Sequence, residues 1–142
     1  MVQIGDESDL KGISILSNVY IYSWVSHMAI FEDVYLIICH AGLGTLREAL
    51  YHGKPSIVFP VLGDQPGNAS RILYHKLGLL GNLDTINCTE MIRLIAAVTS
   101  DEEIKIAMHK FFNIFREQQE FSLGIEFFEK YIKNIKDSPS TY

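Results

Sequence analysis

Two apolar runs constrain this chain more than any other feature. Val34 to Cys39 is apolar throughout, and Ser56-Ile57-Val58-Phe59 forms a second run that stops at Pro60. Neither alternates, so neither suits a strand with one wet face; both suit parallel strands covered on two sides. Parallel strands need a crossover connection rather than a hairpin. The segment between them supplies one, because Leu43 to about His52 reads as a helix stopped by Gly53 and Pro55.

The flanking sequence extends this alternation. Val19 to Tyr22 reads as a short strand leading to Trp24, and His27 to Phe31 as one or two helical turns. A helix from Gly67 to Lys76, stopped at Gly78, precedes a short strand near Leu79-Leu80. Glu90 to Val98 is helical in pattern. Ser100 with Glu103 makes a capping-box signature for a helix that places Ile104, Met108, Phe111 and Phe115 on one stripe. A last helix near Leu123 to Ile135 repeats this with Ile125, Phe128 and Ile132, and Phe111, Phe112 and Phe115 read as core. The expected fold is α/β, a Rossmann-like parallel sheet flanked by helices. Residues 1–17 read as a polar lead, frayed over 1–12, with one domain over 18–136 and a tail at 137–142.

Composition narrows the partners. The chain has 142 residues, 48% of them hydrophobic and 20% charged, enough to bury a real core. Twelve basic against seventeen acidic side chains give a net charge of −5. That balance argues against nucleic acid or an anionic membrane as a main partner, while a local site can still hold a phosphate. Cys39 and Cys88 sit in unlike settings and make no disulfide framework, which points to a reducing compartment. The opening MVQIGDESDLKG lacks a signal-peptide pattern and no apolar run reaches membrane-span length, so a cytoplasmic location is expected. His27, His52, His75 and His109 show no metal-ligand grouping, and neither a metal nor a cofactor is expected.

Ligands of an open parallel sheet bind beyond the carboxyl ends of its strands. Three candidate groups fall there: Trp24 after the first strand, His40 after the second, and Asp64-Gln65 after the third. Gly42 and Gly44 let the backbone approach a ligand closely. The first-turn N–H groups near Gly44 and Thr45, helped by the helix dipole, point at an anion. Glu48 shares their face one turn deeper. Its carboxylate would repel a phosphate and suits the ribose hydroxyls one step further along a nucleotide. Taken singly, each residue also has a plain structural reading. Gly-x-Gly turns are common, His40 could be a satisfied strand-end histidine, Trp24 a core residue and Asp64-Gln65 an ordinary turn.

Together these positions follow a known order. Trp24, His40-Ala41-Gly42, Thr45, Glu48-Ala49, Gly53-Lys54-Pro55, Pro60, Asp64-Gln65 and Asn68-Ala69 resemble the signature box of the UDP-glycosyltransferase superfamily. The resemblance implies the C-terminal, donor-binding half of a GT-B enzyme, with inverting transfer of a hexose from a UDP-sugar to an acceptor hydroxyl. By the same resemblance, Trp24 stacks on uracil and His40, as the catalytic residue, contacts the diphosphate. Gly44 and Thr45 hold phosphate oxygens with Gly42 beside them in the site, Glu48 binds ribose, and Asp64 with Gln65 holds the sugar hydroxyls. His27 stands where the family usually has Gln touching base or ribose, and Gly44 where it often carries a side chain.

By the resemblance, the acceptor-binding domain of such enzymes, with its His-Asp base, and the first βα units of the donor half are expected to lie outside these 142 residues. The expected partners are therefore a UDP-sugar donor and an acceptor-binding domain or second protein chain. The chain is similar as well to the soluble subunit of a two-chain GlcNAc-transferase, which shares His-Ala-Gly and Gly-Lys-Pro but lacks the Asp64-Gln65 and Asn68-Ala69 pairing. A non-catalytic nucleotide-binding module is the third reading.

Overall fold

The computed structural model describes residues 1–5, 10–120 and 123–136, so the tail expected at 137–142 lies outside the described residues. Eleven elements follow in order: β1 (Val2–Gln3), β2 (Ile21–Tyr22), α1 (His27–Ile30), β3 (Ile37–Cys39), α2 (Leu43–Tyr51), β4 (Ser56–Val58), α3 (Gln65–Tyr74), β5 (Gly78–Leu80), α4 (Cys88–Ser100), α5 (Glu102–Glu120) and α6 (Leu123–Lys136). Strands β3, β4 and β5 form one parallel sheet in that order, with Ile37 opposite Ser56 and Ser56 opposite Gly78. The expected parallel α/β architecture is the observed one. No described helix is long and apolar enough to cross a membrane.

Cover on both faces explains the uninterrupted apolar pattern. Ile57 and Val58 of the central strand are wholly buried, and helices α2 to α5 pack around them through Leu46, Ile72, Leu94, Val98, Ile104 and Met108. A smaller cluster of Phe31, Ile37 and Ala49 joins α1 to the sheet.

The N-terminal segment departs from the frayed lead expected over 1–12. Val2 and Gln3 pair in parallel with Ile21 and Tyr22, and this pair is separate from the main sheet. A two-residue strand carries no period that a sequence pattern can reveal, so only its partner identifies it.

Helix ends explain the other shifts. Gly53, at φ 65°, takes the left-handed position after α2, and Gly53 and Lys54 donate to the carbonyls of Leu50 and Ala49 at 3.1 and 2.8 Å. Helix α3 ends in the same hydrogen-bonded motif with Lys76 at φ 54°: Lys76 and Leu77 donate to Leu73 and Ile72 at 3.1 and 2.9 Å. The stop is thus Lys76, and Gly78 serves the sheet. A side chain at Gly78 would fall on the Ser56 backbone of β4.

The cap of α5 is Asp101 rather than Ser100. Asp101 Oδ1 accepts the N–H groups of Glu103 and Ile104 at 2.8 and 3.1 Å, while the Ser100 hydroxyl turns back to the Ala96 carbonyl. The stripe of α5 is buried at Ile104 and Met108 and half-buried at Phe111, Phe112 and Phe115. On α6 the expected core stripe stays open, with Ile125, Phe128 and Ile132 all exposed.

Candidate functional site

His40 follows β3 directly, and its Nδ1 lies 3.0 Å from the Phe59 carbonyl oxygen. A carbonyl only accepts, so Nδ1 carries the hydrogen. In the neutral ring Nε2 is then an acceptor, and only the imidazolium offers a second donor.

Beside it the chain turns sharply through Ala41, which is wholly buried and sits at φ 65°. That left-handed conformation costs a non-glycine residue about 1–2 kcal/mol. Asn68 on α3 holds it. Its Nδ2 donates to the Ala41 carbonyl at 3.0 Å and to Asp64 Oδ2 at 2.8 Å, and its Oδ1 accepts from Arg71 at 3.1 Å. The turn delivers Gly42 in extended geometry as the N-cap of α2. The first helical bond runs from Leu46 N–H to the Gly42 carbonyl, which leaves the amides of Leu43, Gly44 and Thr45 without intrahelical acceptors. A Cβ added at Gly42 or Gly44 would meet nothing within 4 Å, so the helix mouth is open.

Glu48 and His27 form a pair, Oε2 to Nδ1 at 2.8 Å, and the His27 ring stacks on Phe31 with centroids 5.0 Å apart. Both side chains are about one-third exposed. Gln65 opens α3, and its Oε1 accepts the N–H groups of Val61 and Leu62 at 2.8 and 3.1 Å. Among the described residues the Gln65 amide nitrogen makes no hydrogen bond. Asp64, at the N-cap position and exposed, uses Oδ2 on Asn68 and keeps Oδ1.

Some of these parts meet at a crevice of about 790 Å³, to which His27, His40, Gly42, Thr45 and Gln65 contribute. Gly44 and Glu48 line a second hollow of about 510 Å³ with Met28, Arg47 and Tyr51. The His27–Glu48 bond links the two. Trp24 and Asp64 line neither, and the Trp24 side chain is 74% exposed. Burial pushes the Cys39 thiol up, opposed in part by the Ala41 backbone, so it is no ready nucleophile.

Sequence reasoning missed two features of this site. One is Asn68 as the anchor of the Ala41 turn, hinted at only by its spacing of four from Asp64. The other is the partnership of His27 with Glu48, for which 21 intervening positions leave no local signal.

The family model for the glycosyltransferase family 28 C-terminal domain matches residues 2–126. UDP-glucuronosyltransferase 3A1 of Mus musculus is 29% identical over 99 residues, covering 68% of this chain and 19% of that protein. Its Xenopus laevis counterpart is 31% identical over 102 residues, 70% of this chain and 20% of that one. UDP-sugar-dependent glycosyltransferase 52 of Dictyostelium discoideum is 28% identical over 129 residues, 89% of this chain and 8% of the relative. The chain therefore spans one-fifth or less of the length of these relatives.

Among solved structures, the glycotransferase of kitacinnamycin superposes with a TM-score of 0.74 at 25% identity, over 81% of this chain and 30% of that one. The calicheamicin glycosyltransferase CalG4 does so with a TM-score of 0.70 at 15% identity, over 76% and 28%, which speaks to fold alone. With the family match running over almost the whole parallel α/β frame, the chain belongs to the glycosyltransferase family 28 C-terminal domain family and has the fold of the C-terminal half of a GT-B glycosyltransferase.

Proposed function

We propose that this domain binds the UDP-sugar donor of a glycosyltransferase and presents it for inverting transfer of a hexose to an acceptor hydroxyl held by another domain or chain. The observation that carries the reading is convergence. His40, Gly42 and Thr45 at the N-terminus of α2, and Gln65 at the start of α3 line one crevice, and His40 and α2 follow directly on the carboxyl end of β3, where an open parallel sheet receives its ligands. The names of the relatives, UDP-glucuronosyltransferase and UDP-sugar-dependent glycosyltransferase, support uridine diphosphate as the carrier.

In this reading the diphosphate sits against the first-turn amides of α2, with His40 Nε2 donating to it as imidazolium. Negative charge grows on the leaving diphosphate as the sugar–oxygen bond breaks. Donors already fixed in place stabilise that charge without reorganising. Glu48, held by His27, turns its free oxygen to the ribose hydroxyls. Gln65 and Asp64 offer a donor and an acceptor to the sugar, and Trp24 presents an uncovered ring to the base.

Calorimetry of the chain with UDP, UDP-glucose, UDP-glucuronic acid and UDP-N-acetylglucosamine tests the reading. Micromolar to millimolar binding is expected, and Glu48→Ala should weaken it by about 1.5–3 kcal/mol through loss of a charged hydrogen bond. No heat with any of the four ligands would overturn the function. Undiminished affinity in Glu48→Ala would take the carboxylate off the ribose.

A further inference from the structure

One buried amide reaches both ends of the donor site without lining it. Asn68, near the start of α3, is 4% exposed and contributes to neither hollow. Arg71, one turn further along α3, donates from its guanidinium to Asn68 Oδ1 at 3.1 Å. A guanidinium carries only donors, so the atom it meets is the amide oxygen and the amide nitrogen points the other way. Both hydrogens of Nδ2 are then placed, one on the Ala41 carbonyl at 3.0 Å and one on Asp64 Oδ2 at 2.8 Å.

These two acceptors belong to different parts of the site. Ala41 stands between His40 and Gly42, the N-cap of α2. Its turn at φ 65° therefore sets the direction of the imidazole and of the first-turn amides together. An alanine enters that conformation against the steric preference of its Cβ, and the bond from Asn68 to its carbonyl keeps it there. Asp64 is exposed at the N-cap position of α3. With Oδ2 held by Asn68, its carboxylate is fixed in one orientation and Oδ1 stays available to a sugar hydroxyl.

We propose that Asn68 is a positioning residue that sets, through one amide group, both the phosphate seat at α2 and the sugar-facing carboxylate of Asp64. The role rests on the donor reading above and adds a link between its two halves. Affinity for the diphosphate depends on Asn68 through Ala41. Discrimination between UDP and a UDP-sugar depends on Asn68 through Asp64. Arg71 fixes the sense of the amide, because a flipped side chain would turn Oδ1 toward a carbonyl and a carboxylate, neither of which can donate.

Calorimetry with UDP, UDP-glucose, UDP-glucuronic acid and UDP-N-acetylglucosamine, on variants shown to be folded by circular dichroism, separates the two effects. Asn68→Ala should weaken UDP binding by roughly tenfold, the size of the backbone preference that it releases. Adding Ala41→Gly should recover most of that loss, since glycine takes the left-handed turn unaided. The ratio of UDP-sugar to UDP affinity should shift in Asn68→Ala as it does in Asp64→Ala, and Ala41→Gly should not restore it. Combining Asn68→Ala with Asp64→Ala should shift that ratio no further, the signature of two residues acting as one unit. If Asn68→Ala does not fold, Arg71→Met alters an exposed side chain and frees the amide to flip. It should weaken UDP in the same direction, again with recovery by Ala41→Gly. Unchanged UDP affinity in these variants, a loss that Ala41→Gly does not recover, or independent effects of Asn68→Ala and Asp64→Ala on the ratio would each overturn the proposal. A lowered melting temperature with every affinity intact would make Asn68 structural alone and overturn it too. Absence of UDP binding by the unaltered chain is a separate result, which removes the donor reading and this role with it.

Discussion

At the residue scale, one backbone contact sets the sense of a pH response. Because His40 Nδ1 donates to the Phe59 carbonyl, a phosphate oxygen can receive a hydrogen from Nε2 only when the ring is charged. A phosphate seated there as proposed favours the charged ring, so the expected outcome is that affinity for UDP falls as pH rises. His27 also faces a titratable partner, Glu48, so the profile is best read in a His27→Gln background. Calorimetry from pH 5.5 to 8.5 should show the decline there, and adding His40→Gln should flatten it to the nucleotide's own titration. An unchanged slope in the double variant would remove His40 from the phosphate. His40 and Glu48 are legible in the sequence because each has a fixed offset from the Gly-x-Gly turn. Their pairing with Phe59 and His27 is not, since those contacts depend on how β3 lies against β4 and α1 against α2.

At the scale of elements, the ends of helices carry the testable energetics. Lys76 holds a left-handed position that glycine takes without steric cost, so Lys76→Gly should stabilise the chain by about 1 kcal/mol. The Lys76–Glu103 pair lost with it is exposed and worth little. Two residues on, Gly78→Ala should unfold or severely destabilise the domain, because the added methyl collides with the backbone of Ser56. Asp101→Ala removes the acceptor for two amides at the start of α5 and should cost about 1 kcal/mol. Urea denaturation of the three variants checks both the signs and the ranking. Helix and strand identities here follow from apolar period and glycine placement. The exact stops do not, because Lys76 and Asp101 are chosen by hydrogen bonds that a residue pattern does not encode.

For the molecule as a whole, the open crevice and the bare apolar side of α6 are the dominant surface facts. Ile125, Phe127, Phe128, Tyr131 and Ile132 are all exposed, and uncovered apolar area of this kind drives association. Alone, the chain is expected to self-associate in sedimentation experiments, and Ile125→Lys with Phe128→Lys should reduce this without altering the melting curve. Monomeric behaviour of the unmodified chain at high concentration would contradict that reading of α6. The parallel α/β frame, the glycosyltransferase family and the residues around the α2 N-terminus were determined by the sequence alone, since apolar runs, glycine spacing and short-range order are local properties. Only the tertiary structure decided the left-handed Ala41 turn, the coupling of His27 to Glu48 and the split between the two sheets. Each of these depends on atoms far apart in the chain meeting at hydrogen-bond distance, and packing of the whole domain sets those distances.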